Sequence, residues 1–143
     1  MTVVDIRRLG PDDIDLLCSA REGVFDRPVD PVQAAAFLTD DRHEIVAAVQ
    51  NGAMVGMATA VVILHPDQPS QLFVIEVGVL PDVQRQGIAK QIMQQMLAIA
   101  QTRGCSVTWL ATEADNLPAR GLYRTLNGQE TEDVVMFEWE NDA

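Results

Sequence analysis

Glu76 is the only carboxylate in the apolar run Phe73-Val74-Ile75-Glu76-Val77-Gly78-Val79, and the turn Gln84-Arg85-Gln86-Gly87-Ile88-Ala89 follows shortly after it. A carboxylate inside such a run is costly unless it is hydrogen-bonded, paired with a cation or facing a wet cleft. In a cleft it suits proton transfer from an ammonium group, directly or through water. Salt-bridged, or used to orient a substrate, it would do no proton chemistry. Strict alternation puts Val74, Glu76 and Gly78 on one face and Phe73, Ile75 and Val77 on the other, unless a bulge intervenes. The turn has the form of an anion site. It leads from a strand into a helix whose first amides lack internal partners and whose dipole adds partial positive charge. Gly87 and the small Ala89 would let phosphate oxygens approach the backbone, while Arg85 and Lys90 add charge. The turn lacks the Gly-Lys-Ser/Thr ending of a Walker loop and the three glycines of a dinucleotide fingerprint. On spacing alone, a tight turn with no ligand is an equal reading.

The elements that must position these residues follow from the apolar pattern. Val3 to Arg8 reads as a strand, and Gly10-Pro11-Asp12-Asp13 opens a helix striped by Leu16, Leu17 and Ala20. Pro in the first turn and acidic residues at the positive dipole end both favour that start. Pro31 to Leu38 makes a second helix after the loop from Asp26 to Asp30. His43 to Gln50 and Ala53 to Leu64 form a hairpin about Asn51-Gly52, a pair that tolerates positive φ. Gln71 to Val79 is a strand, and Gln86 to Arg103 a helix with Ile88, Ile92, Met96 and Ile99 on one stripe and Gly104 as its C-cap. Ser106 to Ala111, Leu117 to Leu126 and Val134 to Trp139 complete the order as strand, helix and strand. The expected fold is α/β, a mixed and mostly antiparallel sheet with helices on both faces, in a single domain over residues 1–143. Met54, Met57, Met93, Met96, Trp109 and Phe137 are expected in the core.

At 143 residues the chain is long enough for a sizeable core, and no repeat, linker or low-complexity tract divides it. A net charge of -11 disfavours nucleic acid and favours cationic partners, although solubility alone accounts for acidic chains. Cys18 and Cys105 are isolated thiols, which suits a reducing, cytoplasmic setting. His43 and His65 lack metal-ligand spacing, so no metal is expected. No segment is expected to span a membrane, and MTVVDIRRLG has charges too early for a signal peptide.

Gln84-Arg85-Gln86-Gly87-Ile88-Ala89 resembles the Gln/Arg-x-x-Gly-x-Gly/Ala signature of the GCN5-related N-acetyltransferases. Asn116-Leu117-Pro118-Ala119-Arg120-Gly121-Leu122-Tyr123 is similar to that family's second motif, and the element order agrees along nearly the whole chain. Within the superfamily the chain looks most like the GNAT-type aminoglycoside 3-N-acetyltransferases. That likeness rests on Arg7 to Asp12, Arg85 to Ala89, Pro118-Ala119, Leu122-Tyr123 and Val135 to Glu138. The chain departs from the superfamily after the second motif, where Asn127-Gly128-Gln129 replaces the usual Gly-Phe.

The resemblance implies acetyl-CoA as cofactor. Backbone groups of Val77, Gly78 and Val79 would hold the pantetheine arm like an added strand. Amides of Gln86, Gly87, Ile88, Ala89 and Lys90 would hold the pyrophosphate, Gln84 and Arg85 of the same turn would also belong to the cofactor site, and Asn116 would contact pantetheine or adenosine. It implies Glu76 as general base and Tyr123, the one tyrosine of the chain, as the acid that protonates the departing thiolate; a core tyrosine is the plainer reading. An aminoglycoside carries several ammonium groups, so the carboxylates Glu22, Asp26, Asp30, Glu113 and Asp115 are candidates for substrate contact, joined by Glu130, Glu132 and Asp133. The expected activity is acetylation of an aminoglycoside, at its 3-amino group, conferring resistance. Acetylation of a polyamine, a protein N-terminus or a small metabolite amine is the alternative, and a silent acyl-CoA-binding sensor a third. Members of the family are often dimers, so a homodimer is compatible with this reading.

Overall fold

The hairpin expected about Asn51-Gly52 forms the middle of the sheet. With Asn51 at φ 53° and Gly52 at φ 78°, the turn joins two long antiparallel strands. In chain order the strands are β1 (Asp5–Arg8), β2 (His43–Gln50), β3 (Ala53–Ile63), β4 (Gln71–Val79) and β5 (Val107–Trp109). They stand in that same order in a five-stranded sheet, antiparallel throughout except for the parallel β4–β5 pair. The helices are α1 (Ile14–Cys18), α2 (Pro31–Thr39), α3 (Ile88–Thr102) and α4 (Leu117–Thr125). This computed structural model describes residues 3–142. Its chain divides into two compact units, the first ending at Ala111 and the second beginning at Thr112.

In the first unit the core lies on both faces of the sheet: α3 covers one, and on the other Ile45, Ala47 and Met57 are buried, with Leu17 of α1 and Ala34 and Leu38 of α2 also buried. Ile88, Ile92, Met96 and Ile99 are buried as their spacing predicts, with Met93 and Ala100 beside them. Met54 and Met57 fill β3. Pairing register assigns the faces. Glu44 pairs with Ala60 and Ile45 with Thr59, so Glu44 and Thr59 lie on opposite faces. Glu44 receives Arg8 through two bonds of 2.8 and 2.7 Å and Arg103, at the end of α3, at 2.6 Å. The α3 face is therefore the Glu44 face. The Arg8–Glu44–Arg103 cluster ties β1, β2 and α3 together, and nothing in the spacing of these residues announces it.

Four expectations need correction. Val134 to Trp139 forms no strand; Val134, Val135, Met136, Phe137 and Trp139 all lie exposed. Phe137 is accordingly not a core residue. Trp109 also stands outside the core, packed on Phe73 with ring centroids 4.4 Å apart and 43% exposed. The first helix begins as a 3-10 turn over Pro11–Asp13, because Asp13 accepts a bond from the Gly10 amide at 2.7 Å and tightens that turn. The remaining boundaries move by one or two residues. At α3 the shift is two residues, and the helix starts at Ile88 because Gly87 is left-handed.

Candidate active site

β4 carries a bulge where the sequence has its carboxylate. Thr59 pairs with Glu76 and Ala60 with Val74, which leaves Ile75 without a partner. An extra residue reverses the alternation beyond it. Val74 therefore faces the core, 2% exposed, while Glu76 and Gly78 face the opposite side with Thr59 and Met57. Strict alternation had put Val74 and Glu76 on one face, and the bulge overturns that. It also resolves the cost of the carboxylate, since Glu76 turns out of the core and is exposed. Burial around the carboxyl, and then the negative charge of Asp26, raise its pKa above the ordinary glutamate value. A base so tuned lies nearer to neutrality.

The pairing of β4 with β5 ends at Phe73 and Trp109. From Val74 onward that side of β4 meets no strand among the described residues, so its backbone donors and acceptors are open to an extended ligand. Val77, Gly78 and Val79 lie there, each partly exposed. Gln84 turns back and donates from Nε2 to the Val79 carbonyl at 2.9 Å, so it braces the turn and occupies one acceptor of the edge.

The turn itself is built for close approach. Arg85 has φ 65° and Gly87 φ 75°, and these two left-handed residues wind the chain into α3. The first closed helical bond runs from the Gln91 amide to the Gly87 carbonyl at 3.1 Å. The amides of Ile88, Ala89 and Lys90 thus belong to the open first turn. A Cβ on Gly87 would meet nothing within 4 Å, so the space before these amides is free for an anion. Gln86, Arg85 and Lys90 are exposed around it, whereas Ile88 anchors the turn in the core. Gly87→Val would put a β-branched residue at positive φ and a side chain in that space. It should weaken acetyl-CoA binding about tenfold or more, through strain of about 1–2 kcal/mol and lost room. Isothermal calorimetry reads this directly; unchanged affinity would move the phosphate site elsewhere.

The acidic residues expected to meet substrate fall into distinct situations. Asp26 stands near enough for its charge to act on Glu76. Asp30 caps α2, accepting from the Val32 amide at 2.9 Å and the Gln33 amide at 3.5 Å, which accounts for its carboxylate. Glu22 is exposed on the loop between α1 and α2.

The second unit carries Glu113, Asp115, Asn116 and Tyr123. Glu113 and Asp115 are exposed, and their carbonyls accept from the Asn116 and Leu117 amides at 3.0 and 2.9 Å. Asn116 is the N-cap of α4, its Oδ1 accepting from the Ala119 amide at 3.2 Å. Glu130 and Glu132 are taken up by Arg120 at 2.6 and 3.1 Å, and Arg124 also bonds Glu130 at 2.7 Å. The two guanidiniums hold Glu130 down to about 2, which leaves these two carboxylates little call on a substrate. Asp133 is exposed at φ 62°. Tyr123 is half-buried in α4, and that burial raises its hydroxyl above the ordinary value. It therefore keeps its proton at neutral pH and can donate it. The Tyr123 carbonyl accepts from the Leu126 and Gly128 amides at 3.2 and 3.0 Å. A Cβ on Gly128 would come within 3.1 Å of that oxygen, so the glycine of the divergent Asn127-Gly128-Gln129 ending closes the helix tightly.

The sequence profile of the Acetyltransferase (GNAT) family matches residues 14–128. The ribosomal protein bS18 alanine N-acetyltransferase of Escherichia coli strain K12 is 31% identical over 90 residues, 63% of this chain and 57% of that protein. The match thus spans little more than half the length of this curated relative. Among solved structures, the aminoglycoside acetyltransferase meta-AAC0020 from an uncultured soil metagenomic sample, in complex with sisomicin, superposes with a TM-score of 0.84 at 18% identity over 97% of both chains. The aminoglycoside N-acetyltransferase AAC(6')-Iy in complex with CoA superposes with a TM-score of 0.79 at 20% identity, over 99% of this chain and 97% of that one. At such identities these two likenesses establish a shared fold.

Proposed function

This chain belongs to the GNAT acetyltransferase family, and we propose that it transfers the acetyl group of acetyl-CoA to an amine of an aminoglycoside, at the 3-amino position, conferring resistance. The observation that carries the reading is Glu76, turned by the β4 bulge to the face opposite α3 beside the open edge of β4, with Asp26 near enough for its charge to act on it. An ammonium-rich acceptor fits two carboxylates, and an extended thioester arm fits an unpaired strand edge. Acetyl-CoA brings the activated acyl group, and the chain's own residues do the rest. Amides of the turn at Gln86 to Lys90 bind the pyrophosphate. Backbone groups of Val77 and Gly78 align the arm, and an N–H there polarises the thioester oxygen. Glu76 removes a proton from the acceptor ammonium, directly or through water, so that a neutral amine attacks. Tyr123 gives its proton to the departing thiolate. One N–C bond forms and one C–S bond breaks; the ammonium gives one proton to Glu76 before attack and a second as the tetrahedral adduct collapses, which restores the proton Tyr123 gives to the thiolate, and the proton on Glu76 passes to solvent.

The acetylated position is the finer part of this proposal. The 6' position stands beside it because a structure of the same fold carries that label in its name. A second acceptor is favoured by a separate observation: the relative at 31% identity is named for acetylating an alanine of a ribosomal protein. A protein N-terminal amine is therefore the competing acceptor. Cys18 and Cys105 are free thiols, in keeping with the cytoplasmic setting we assign. The experiment is thiol release from acetyl-CoA across 2-deoxystreptamine aminoglycosides, spermidine and an alanine-terminated peptide. Turnover on the peptide alone would transfer the function to protein acetylation.

A further inference from the structure

The loop over residues 20–30 joins α1 to α2 and carries Glu22, Asp26 and Asp30. Val24 is its one buried residue, 3% exposed, and its backbone lies directly on β4. A Cβ on Gly78 would stand 3.1 Å from the Val24 carbonyl oxygen and 3.5 Å from Met57 Cε. The loop is pinned at that contact and just before it in the chain. The Arg21 amide donates to the Met54 carbonyl at 3.1 Å, and the Val24 amide to the Arg21 carbonyl at 3.1 Å. The Arg21 guanidinium meets Asp82 at 3.1 Å. Between them Gly23 takes φ 95°, and a Cβ there would come 3.2 Å from Leu80 Cδ2. The loop thus crosses β4 at Gly78, on the face where Glu76 stands, and Asp26 follows Val24 closely in the chain.

We propose that Gly78 is a positioning residue for the acceptor: by seating the Val24 carbonyl on β4, it holds Asp26 beside Glu76, so that a multiply charged amine is received between two carboxylates. The proposal rests on the amine-acetyltransferase reading, and it assigns Gly78 a duty on its side-chain face in addition to the backbone duty of the pantetheine edge. Asp26 is the charged neighbour that acts on Glu76 among the described residues. Thr59 and Met57 of β3, the neighbours of Glu76 on that face, carry no charge, and the charged or titratable residues the register puts on the same face, His43 of β2 and Asp5 and Arg7 of β1, stand on strands farther across the sheet from β4.

The test uses the full chain with Gly78→Ala and Gly23→Ala, each alone and combined with Asp26→Asn. A methyl on Gly78 should push the loop off β4, and Ala at φ 95° should distort it from the other side. Each single variant is expected to raise KM for an aminoglycoside about tenfold, as for residues coupled through contact, and Gly23→Ala, which lies outside the acetyl-CoA site, should change the acetyl-CoA KM by less than about twofold. In the Asp26→Asn background the same changes should alter the acceptor KM by less than about twofold. Equal losses in both backgrounds, or a parallel rise in the acetyl-CoA KM of Gly23→Ala, would overturn the proposal. A carboxyl NMR titration of Glu76 decides the matter without turnover. Gly78→Ala should lower its midpoint in the same direction as Asp26→Asn, and an unmoved midpoint would also overturn it. Should Gly78→Ala fail to fold, Gly23→Ala carries both comparisons. If the parent acetylates no multiply charged amine, the substrate reading fails, while the titration still tests the latch.

Discussion

Replacing Tyr123 with Phe should lower kcat by about 100- to 10,000-fold, the range of a lost general acid, while acetyl-CoA affinity stays within about twofold. Phe keeps the ring, so the packing of α4 is preserved and only the hydroxyl is removed. Because burial raises that hydroxyl above its ordinary value, the parent holds its proton through the neutral range and has one to give. A thiolate leaves more readily than an alkoxide, so the loss falls toward the lower end of that range for an activated thioester. Stopped-flow turnover together with calorimetry separates the chemical step from binding. A loss below about threefold would mean that water protonates the thiolate and that Tyr123 serves packing.

The second large effect is at Glu76, and its sign depends on pH. The amide of Glu76→Gln cannot take a proton, so the variant acetylates only acceptor that is already neutral. In the parent, burial and the charge of Asp26 raise the Glu76 pKa above the ordinary glutamate value. Its carboxylate is thus available above that raised value and lost as pH falls through it. The parent's kcat/KM should therefore have an acid limb above the usual glutamate range. Between that limb and the pKa of the acceptor amine the deficit of Glu76→Gln should reach about 100-fold or more. At higher pH, where neutral amine is plentiful, part of the rate should return. A deficit of equal size at every pH would make Glu76 an orienting group.

Much of the fold was legible because its signals are local. Asn51-Gly52 names a hairpin by the conformations it tolerates, and the stripe of Ile88, Ile92, Met96 and Ile99 names a helix by its period. The turn at Gly87 was equally readable, since strand, glycine and helix follow one another directly. The bulge at Ile75 was not, because it is decided by the pairing of β3 with β4 and leaves no mark on either strand alone. For the same reason the contact of Gly78 with Val24 and the arginine cluster at Glu44 escape a linear reading. Residues far apart in sequence create them. Charge was the weakest guide. Of the carboxylates that composition offered a cationic substrate, Asp30 caps a helix and Glu130 and Glu132 pair with arginines. The run from Val134 to Trp139 shows the opposite failure, since its apolar character predicts a strand but no partner strand meets it among the described residues. An apolar run becomes a strand only where a ladder receives it.

The central claim is that the carboxylates at Glu76 and Asp26 receive a multiply charged amine for acetylation. Its most direct measurement is kcat/KM from acetyl-CoA thiol release, compared between a kanamycin-type aminoglycoside and an alanine-terminated peptide, for the parent and for Asp26→Asn. The account predicts that the parent prefers the aminoglycoside by about tenfold or more. It also predicts that Asp26→Asn erodes that preference by raising the aminoglycoside KM, as expected when one exposed ion pair to the substrate is removed. Preference for the peptide in the parent, or a preference untouched by Asp26→Asn, would contradict it.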